Sequence, residues 1–261
     1  VSINVSGTLA VFLSDALNYL ASYPYGCSEQ IASTLSSIAV LKRGLDLENV
    51  GDAFSLKPIV FDGREYTIDE VVEIGLARMY ENQTASSGFT YYATMQPNFH
   101  LTLHVVNTLI ELEAAGYSVH HDALTRAAQY LYTTLTQTPH LSQSKDTVIL
   151  AAYAILRVPG TTLSREKNDL AARIQKITED EAYVREQINN TSLTHLAMIL
   201  SRTYPAAPQI ANSKKREIYT TLENRIDIDA RGAFLGVHQG RRLWEYYETP
   251  IKDTALLLKA L

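Results

Sequence analysis

Tyr23-Pro24-Tyr25-Gly26-Cys27-Ser28-Glu29-Gln30 is the most informative stretch of this 261-residue chain. Cys27 is the single cysteine, so it cannot be half of an intrachain disulfide. Pro24 and Gly26 interrupt regular structure, and Ile31-Ala32-Ser33-Thr34-Leu35 reads as helix, which puts Cys27 at a helix N-terminus. There, unpaired backbone N–H groups and the helix dipole favour the thiolate form. Gln30 lies three residues on, so its side chain can face Cys27 within the first turn. A thiolate held against a carboxamide can attack its carbonyl and expel ammonia, leaving an internal thioester that is open to any nucleophile reaching it. The plainer reading of the same residues is a buried, inert cysteine ahead of a helix.

The order Gly-Cys-x-Glu-Gln resembles the thioester motif of the α2-macroglobulin and complement family, and the Tyr-Pro-Tyr prefix is typical of its bacterial α2-macroglobulin branch. Ser28 stands where the family often has Gly. The resemblance implies that Cys27 supplies the thioester sulfur and Gln30 the acyl carbon, with Glu29 as the motif acid and Tyr23 and Tyr25 in an aromatic wall. Gly88-Phe89-Thr90-Tyr91-Tyr92, followed by Leu101-Thr102-Leu103-His104, is similar to the family's Gly-Phe-x-Tyr-Trp loop and Leu-Thr-Ala-Tyr helix. It departs at Tyr92 and at Leu103-His104. By that likeness Phe89, Tyr91 and Tyr92 join the wall that keeps water from the bond. In the hydroxyl-reactive complement branch a loop histidine attacks first. The corresponding loop here is about 137–142, which makes His140 a candidate acyl acceptor and base, or an ordinary loop histidine.

The resemblance further implies a single thioester-containing domain over 1–261, excised from a larger macroglobulin-like chain, with an α/α toroid fold of about six helical hairpins. Such a domain is a single-turnover covalent trap, not an enzyme. It captures lysine amines or hydroxyls on a target protease or other protein surface, and it works beside neighbouring macroglobulin-type domains of the same chain. It needs no cofactor or metal and is extracytoplasmic, in the periplasm or at the cell surface.

Bulk properties agree with a soluble globule. Hydrophobic residues make up 46% and charged residues 20%, enough for a sizeable core. A net charge of -5 argues against nucleic acid as the partner. No stretch approaches the roughly 20 apolar residues of a membrane span, and Val1-Ser2-Ile3-Asn4-Val5 lacks the basic start of a signal peptide.

Periodicity predicts an all-α chain with one or two small β-hairpins. Helices are expected over about 8–22, 27–43 (ending at Gly44), 67–80 with Thr67-x-x-Glu70 as a capping box, 99–115 and 120–136. More follow over 145–157, 164–177, 180–188, 192–203, 208–224 and 251–261. Asp62-Gly63 between apolar residues signals one hairpin. Phe234-Leu235-Gly236-Val237 and Leu243-Trp244-Glu245-Tyr246-Tyr247 alternate like the two strands of a second. The pair His100 and His104 sits four apart on a helix but lacks the Glu and third ligand of a zinc motif, so a helix face is the expected role.

Three other readings compete with the trap. A covalent adhesin would use the same bond to fix a cell to a surface. An α/α-toroid enzyme would need an Asp-rich motif or paired carboxylates, and Glu179-Asp180-Glu181 reads as an exposed turn. A Cys–His hydrolase would leave Gln30 and the Tyr-Pro-Tyr prefix unexplained.

Overall fold

The computed structural model describes residues 26–45, 59–61, 64–230, 232–236 and 249–261. The helix expected over 8–22, Tyr23, Tyr25 and the strand expected over 243–247 lie outside the described residues. Among the described residues the chain is all-α with two two-stranded antiparallel hairpins. It divides into two compact units, 1–127 and 128–261, the division falling inside one helix.

The first unit contains α1 (Ser28–Leu45), β1 (Ile59–Phe61), β2 (Arg64–Tyr66), α2 (Ile68–Glu81), α3 (Phe99–Ala114) and the start of α4 (His121–Gln137). Its centre is the packing of α1 against α3 and α2. Ala32, Leu35, Ile38 and Ala39 recur at three and four along α1 and are buried. Leu101, Val105, Val106, Leu109 and Leu112 are buried apolar residues of the facing α3, a helix buried along most of its length. Gly75 of α2 allows a close approach: a Cβ there would lie 3.0 Å from Leu35 Cδ2. At the far end of α1, Arg43 Nη1 donates to the buried Glu111 carboxylate of α3 at 2.9 Å.

Local signals explain the helix starts. The Thr67 side chain accepts from Glu70 N while Glu70 Oε2 accepts from Thr67 N at 2.8 Å, so the predicted capping box is formed. Asn98 caps α3 through Leu101 N. The α3 helix stops at Ala114 because Gly116 turns the chain with φ +86°, a conformation that disfavours a Cβ. The first hairpin is present where it is expected, with Ile59 opposite Tyr66 and Phe61 opposite Arg64.

The second unit contains the rest of α4, then α5 (Pro139–Gln143), α6 (Lys145–Ile155), α7 (Ser164–Glu179), a π-helical turn (Tyr183–Gln187), α8 (Asn190–Thr203), α9 (Pro208–Glu223), β3 (Ile226–Asp229), β4 (Gly232–Leu235) and α10 (Pro250–Ala260). The α8 helix is central and packs against α6, α7, α9 and α10. Its buried Thr191 donates to Asp253 of α10 at 2.5 Å, and Asn190 donates to the Gly236 carbonyl at 3.0 Å.

One expectation is corrected here. The segment at 137–142 is not a loop: Pro139 opens a short helix, since a proline at the first helical position loses no hydrogen bond. The short helix expected near 180–188 is present and includes a π-helical turn, Tyr183–Gln187. Phe234-Leu235 pairs with a preceding strand that the periodicity does not predict, Leu235 opposite Ile226, while the expected partner over 243–247 lies outside the described residues. Gly232 closes that turn at φ +140°.

Candidate functional site

Cys27 is the N-cap of α1. It is non-helical itself, and its carbonyl accepts from Ile31 N at 3.0 Å, the first bond of the helix. Gln30 is therefore the third helical residue. Its Oε1 accepts a 3.1 Å hydrogen bond from the backbone N–H of Cys27. This is one half of a capping box, in which the third residue's side chain reaches back to the cap's backbone N–H. A Cys-x-x-Gln sequence thus folds the carboxamide over the cysteine by ordinary helix-capping forces. Gly26 makes room for it: a Cβ at Gly26 would come within 2.7 Å of Gln30 Oε1 and 2.8 Å of Gln30 Cβ.

The chemical consequence follows from that bond. The N–H polarises the carboxamide carbonyl, and it sits where a developing oxyanion would need a donor if the carbon were attacked. Cys27 is half-buried and the Gln30 residue is exposed.

The first turn of α1 is held by the segment after α2. Ser28 is fully buried, its N–H donates to the Tyr91 carbonyl at 3.1 Å, and its hydroxyl accepts from Asn82 Nδ2 at 2.8 Å. Asn82 in turn accepts from Thr90 N at 3.1 Å, and Phe89 N donates to Thr102 Oγ1 of α3 at 2.8 Å. Ser87, at φ +74°, turns the tip of this loop. The loop's backbone makes these contacts. Of its aromatics, Phe89 is 0% exposed in the core, Tyr91 is half-buried, and Tyr92 is 56% exposed. Of the wall expected around the bond, only these three lie among the described residues.

Glu29 is half-buried and engaged. Ser33 Oγ donates to its Oε1 at 3.2 Å, and the same hydroxyl lies 3.1 Å from His104 Nε2 on α3. The i,i+4 spacing of Glu29 and Ser33 was available in the sequence as a local signal. No comparable signal marked Asn82 or His104, because each reaches the motif across the packing of separate elements. His140 is exposed on α5 in the second unit. His100 and His104 do not form a metal cluster: no group of three or more His, Cys, Asp or Glu among the described residues could hold one. No helix among the described residues is long and apolar enough to cross a membrane.

No protein-family model matches the chain. It is 25% identical to the alpha-2-macroglobulin of Escherichia coli K12 over 180 residues, which is 68% of this chain and 10% of that protein. It is 24% identical to the alpha-2-macroglobulin of Xylella fastidiosa over 204 residues, 76% of this chain and 12% of that protein. The chain therefore spans about a tenth of the length of the curated relatives it matches. Among solved structures, Salmonella alpha-2-macroglobulin reacted with methylamine is similar with a TM-score of 0.61 at 23% identity, covering 95% of this chain and 14% of that one. Native alpha-2-macroglobulin from Escherichia coli, spanning domain MG7 to the C-terminus, has a TM-score of 0.57 at 22% identity, covering 95% of this chain and 35% of that one. The chain is thus similar at low identity to a part of several alpha-2-macroglobulins, and the likeness of fold extends over nearly all of it.

Proposed function

We propose that Cys27 and Gln30 condense into an internal thioester and that the chain acts as a covalent trap. The Cys27 thiolate attacks Gln30 Cδ, the carbonyl oxygen takes the negative charge, and ammonia leaves with the proton. The Cys27 N–H that already bonds Oε1 is the donor for that oxyanion. A lysine amine or hydroxyl on a target then attacks the acyl carbon, and the Cys27 thiolate departs. The linkage is used once.

The observation that carries this reading is the 3.1 Å bond from Cys27 N to Gln30 Oε1, which folds the carboxamide back onto the cysteine residue. The distant alpha-2-macroglobulin relatives support the wider setting. In that setting residues 1–261 form one thioester-containing domain beside macroglobulin-type neighbours. They serve a bacterial protease trap in an extracytoplasmic compartment. Tyr23, Tyr25, Phe89, Tyr91 and Tyr92 shield the bond until the larger protein changes shape, and His140 is the candidate for a histidine-assisted route.

Intact mass of freshly prepared protein tests the chemistry. Loss of ammonia predicts a mass about 17 Da below the sequence mass, and methylamine should raise it to about 14 Da above, with one free thiol appearing. Cys27→Ala should show neither change. A fresh chain at full sequence mass with its thiol already titratable would count against the reading.

A further inference from the structure

Beside the Cys27–Gln30 pair runs a chain of three hydrogen-bonded side chains. Ser33 Oγ donates to Glu29 Oε1 at 3.2 Å, and His104 Nε2 lies 3.1 Å from Ser33 Oγ, 71 residues away in sequence. A serine hydroxyl has one proton, and a carboxylate can only accept. With that proton given to Glu29, Ser33 has only lone pairs for His104, so His104 Nε2 must carry a hydrogen and donate it. The chain therefore has one direction, from His104 through Ser33 to Glu29. All three residues are half-buried, where successive bonds polarise one another more than in water.

The arrangement joins two helices. Glu29 and Ser33 lie on α1, and His104 comes from α3, the helix against which α1 packs most extensively. Along the two helices, Cys27 precedes Glu29 on the same turn, and His100 lies one turn before His104 on α3. The cations of α1, Lys42 and Arg43, are at its other end, opposite Asp69 of α2 and Glu111 of α3. Glu29 is adjacent to Gln30 in the chain, so the two residues belong to the same first turn of α1.

We propose that His104, acting through Ser33, is a positioning residue for Glu29, holding the carboxylate in one orientation on the flank of the Cys27–Gln30 pair so that it takes the proton of an attacking amine. This rests on the thioester reading. The amine nitrogen bonds to Gln30 Cδ, the carbon–sulfur bond breaks, and its electron pair goes to the Cys27 sulfur. The surplus amine proton passes to Glu29 and then to the thiolate, restoring the carboxylate and leaving an amide and a thiol.

The test uses the full 261-residue chain. The rate of thiol release by methylamine should fall roughly tenfold in His104→Leu and in Ser33→Ala, and no further in the double variant. His104→Gln, which keeps a side-chain N–H donor of similar reach without an imidazole, should react within about twofold of the parent. A loss of packing alone would not be rescued in this way. His104→Leu reacting like the parent, or His104→Gln as slow as His104→Leu, overturns the proposal. A measurement independent of the thioester is made in Cys27→Ala: the His104 Nε2–H should give a protected imidazole N–H signal by NMR that disappears on adding Ser33→Ala. Absence of that signal overturns the hydrogen-bonded chain itself. A parent at full sequence mass, with the signal present, instead overturns the thioester reading and the proton-transfer role that depends on it.

Discussion

The Ser28 hydroxyl and the Asn82 carboxamide, 54 residues apart in sequence, meet at 2.8 Å. Ser28 is completely buried, so this bond satisfies a hydroxyl that has no access to water. It also fixes the first turn of α1 to the end of α2. Together with the bond from Ser28 N to the Tyr91 carbonyl, it makes the loop after α2 a clamp on the cysteine-bearing turn.

Asn82→Ala should leave the buried Ser28 hydroxyl unpaired and cost about 1–3 kcal/mol. Ser28→Gly, in the Asn82→Ala background, should cost less than it does alone, because the partner is already gone. A double-mutant cycle by urea denaturation should give a coupling of about 1 kcal/mol. Additive losses would show that the bond contributes nothing net.

Gly26→Ala should act on the chemistry more than on the fold. The new Cβ would lie 2.7 Å from Gln30 Oε1, so the carboxamide must swing away from Cys27. Helical circular dichroism should be preserved, while the roughly 17 Da mass deficit expected of the thioester should be absent. A Gly26→Ala chain that retains the deficit would show that the carboxamide reaches the cysteine by another path.

Gly75→Val should destabilise the first unit. Even a methyl at Gly75 would sit 3.0 and 3.1 Å from the two Leu35 Cδ atoms, and Leu35 is 1% exposed with no room to retreat. Overpacking of this kind costs about 1–3 kcal/mol, read as a lower urea midpoint. Combining it with Leu35→Ala should recover part of the loss, since the clash and the cavity offset one another.

Acid should weaken the second unit through His195. Desolvation by the surrounding protein pushes this imidazole down to about 3, although its Nδ1 lies 2.8 Å from the Thr191 carbonyl and that bond acts in the opposite sense. Between about pH 6.5 and 3 the unfolded chain binds a proton that the folded chain does not, so stability falls as pH falls through that window. The slope from this one group is at most about 1.4 kcal/mol per pH unit. Urea unfolding from pH 7 to 4 should show a shallower decline in His195→Phe than in the parent. Equal slopes would place the acid sensitivity elsewhere.

Local physics made much of the molecule readable from sequence. Thr67-x-x-Glu70 marks a helix start because both halves of the box are satisfied within four residues. Gly116 ends a helix because it alone tolerates the left-handed turn there. The hairpin over 59–66 is legible in its Asp-Gly turn signal, and its two strands pair antiparallel. Strand alternation says that a segment is extended and not which segments it pairs with: Phe234-Leu235 has a partner in Ile226-Asp227, a pairing the sequence does not announce. The segment 137–142 reads as a loop, yet its Pro139 suits the first turn of a helix as well as a break in one.

The sequence by itself determined the all-α class, most helix boundaries and the placement of Cys27 and Gln30 on one turn, since each depends on residues within about four positions of one another. Only the tertiary structure decided that Asn82 and the Tyr91 carbonyl grip Ser28, that Phe89 belongs to the core while Tyr92 is exposed, and that His104 reaches Glu29 through Ser33. Those contacts arise where separate helices and loops pack together. A buried polar group takes whichever partner that packing brings within about 3 Å, and the one-dimensional pattern carries no record of that distance.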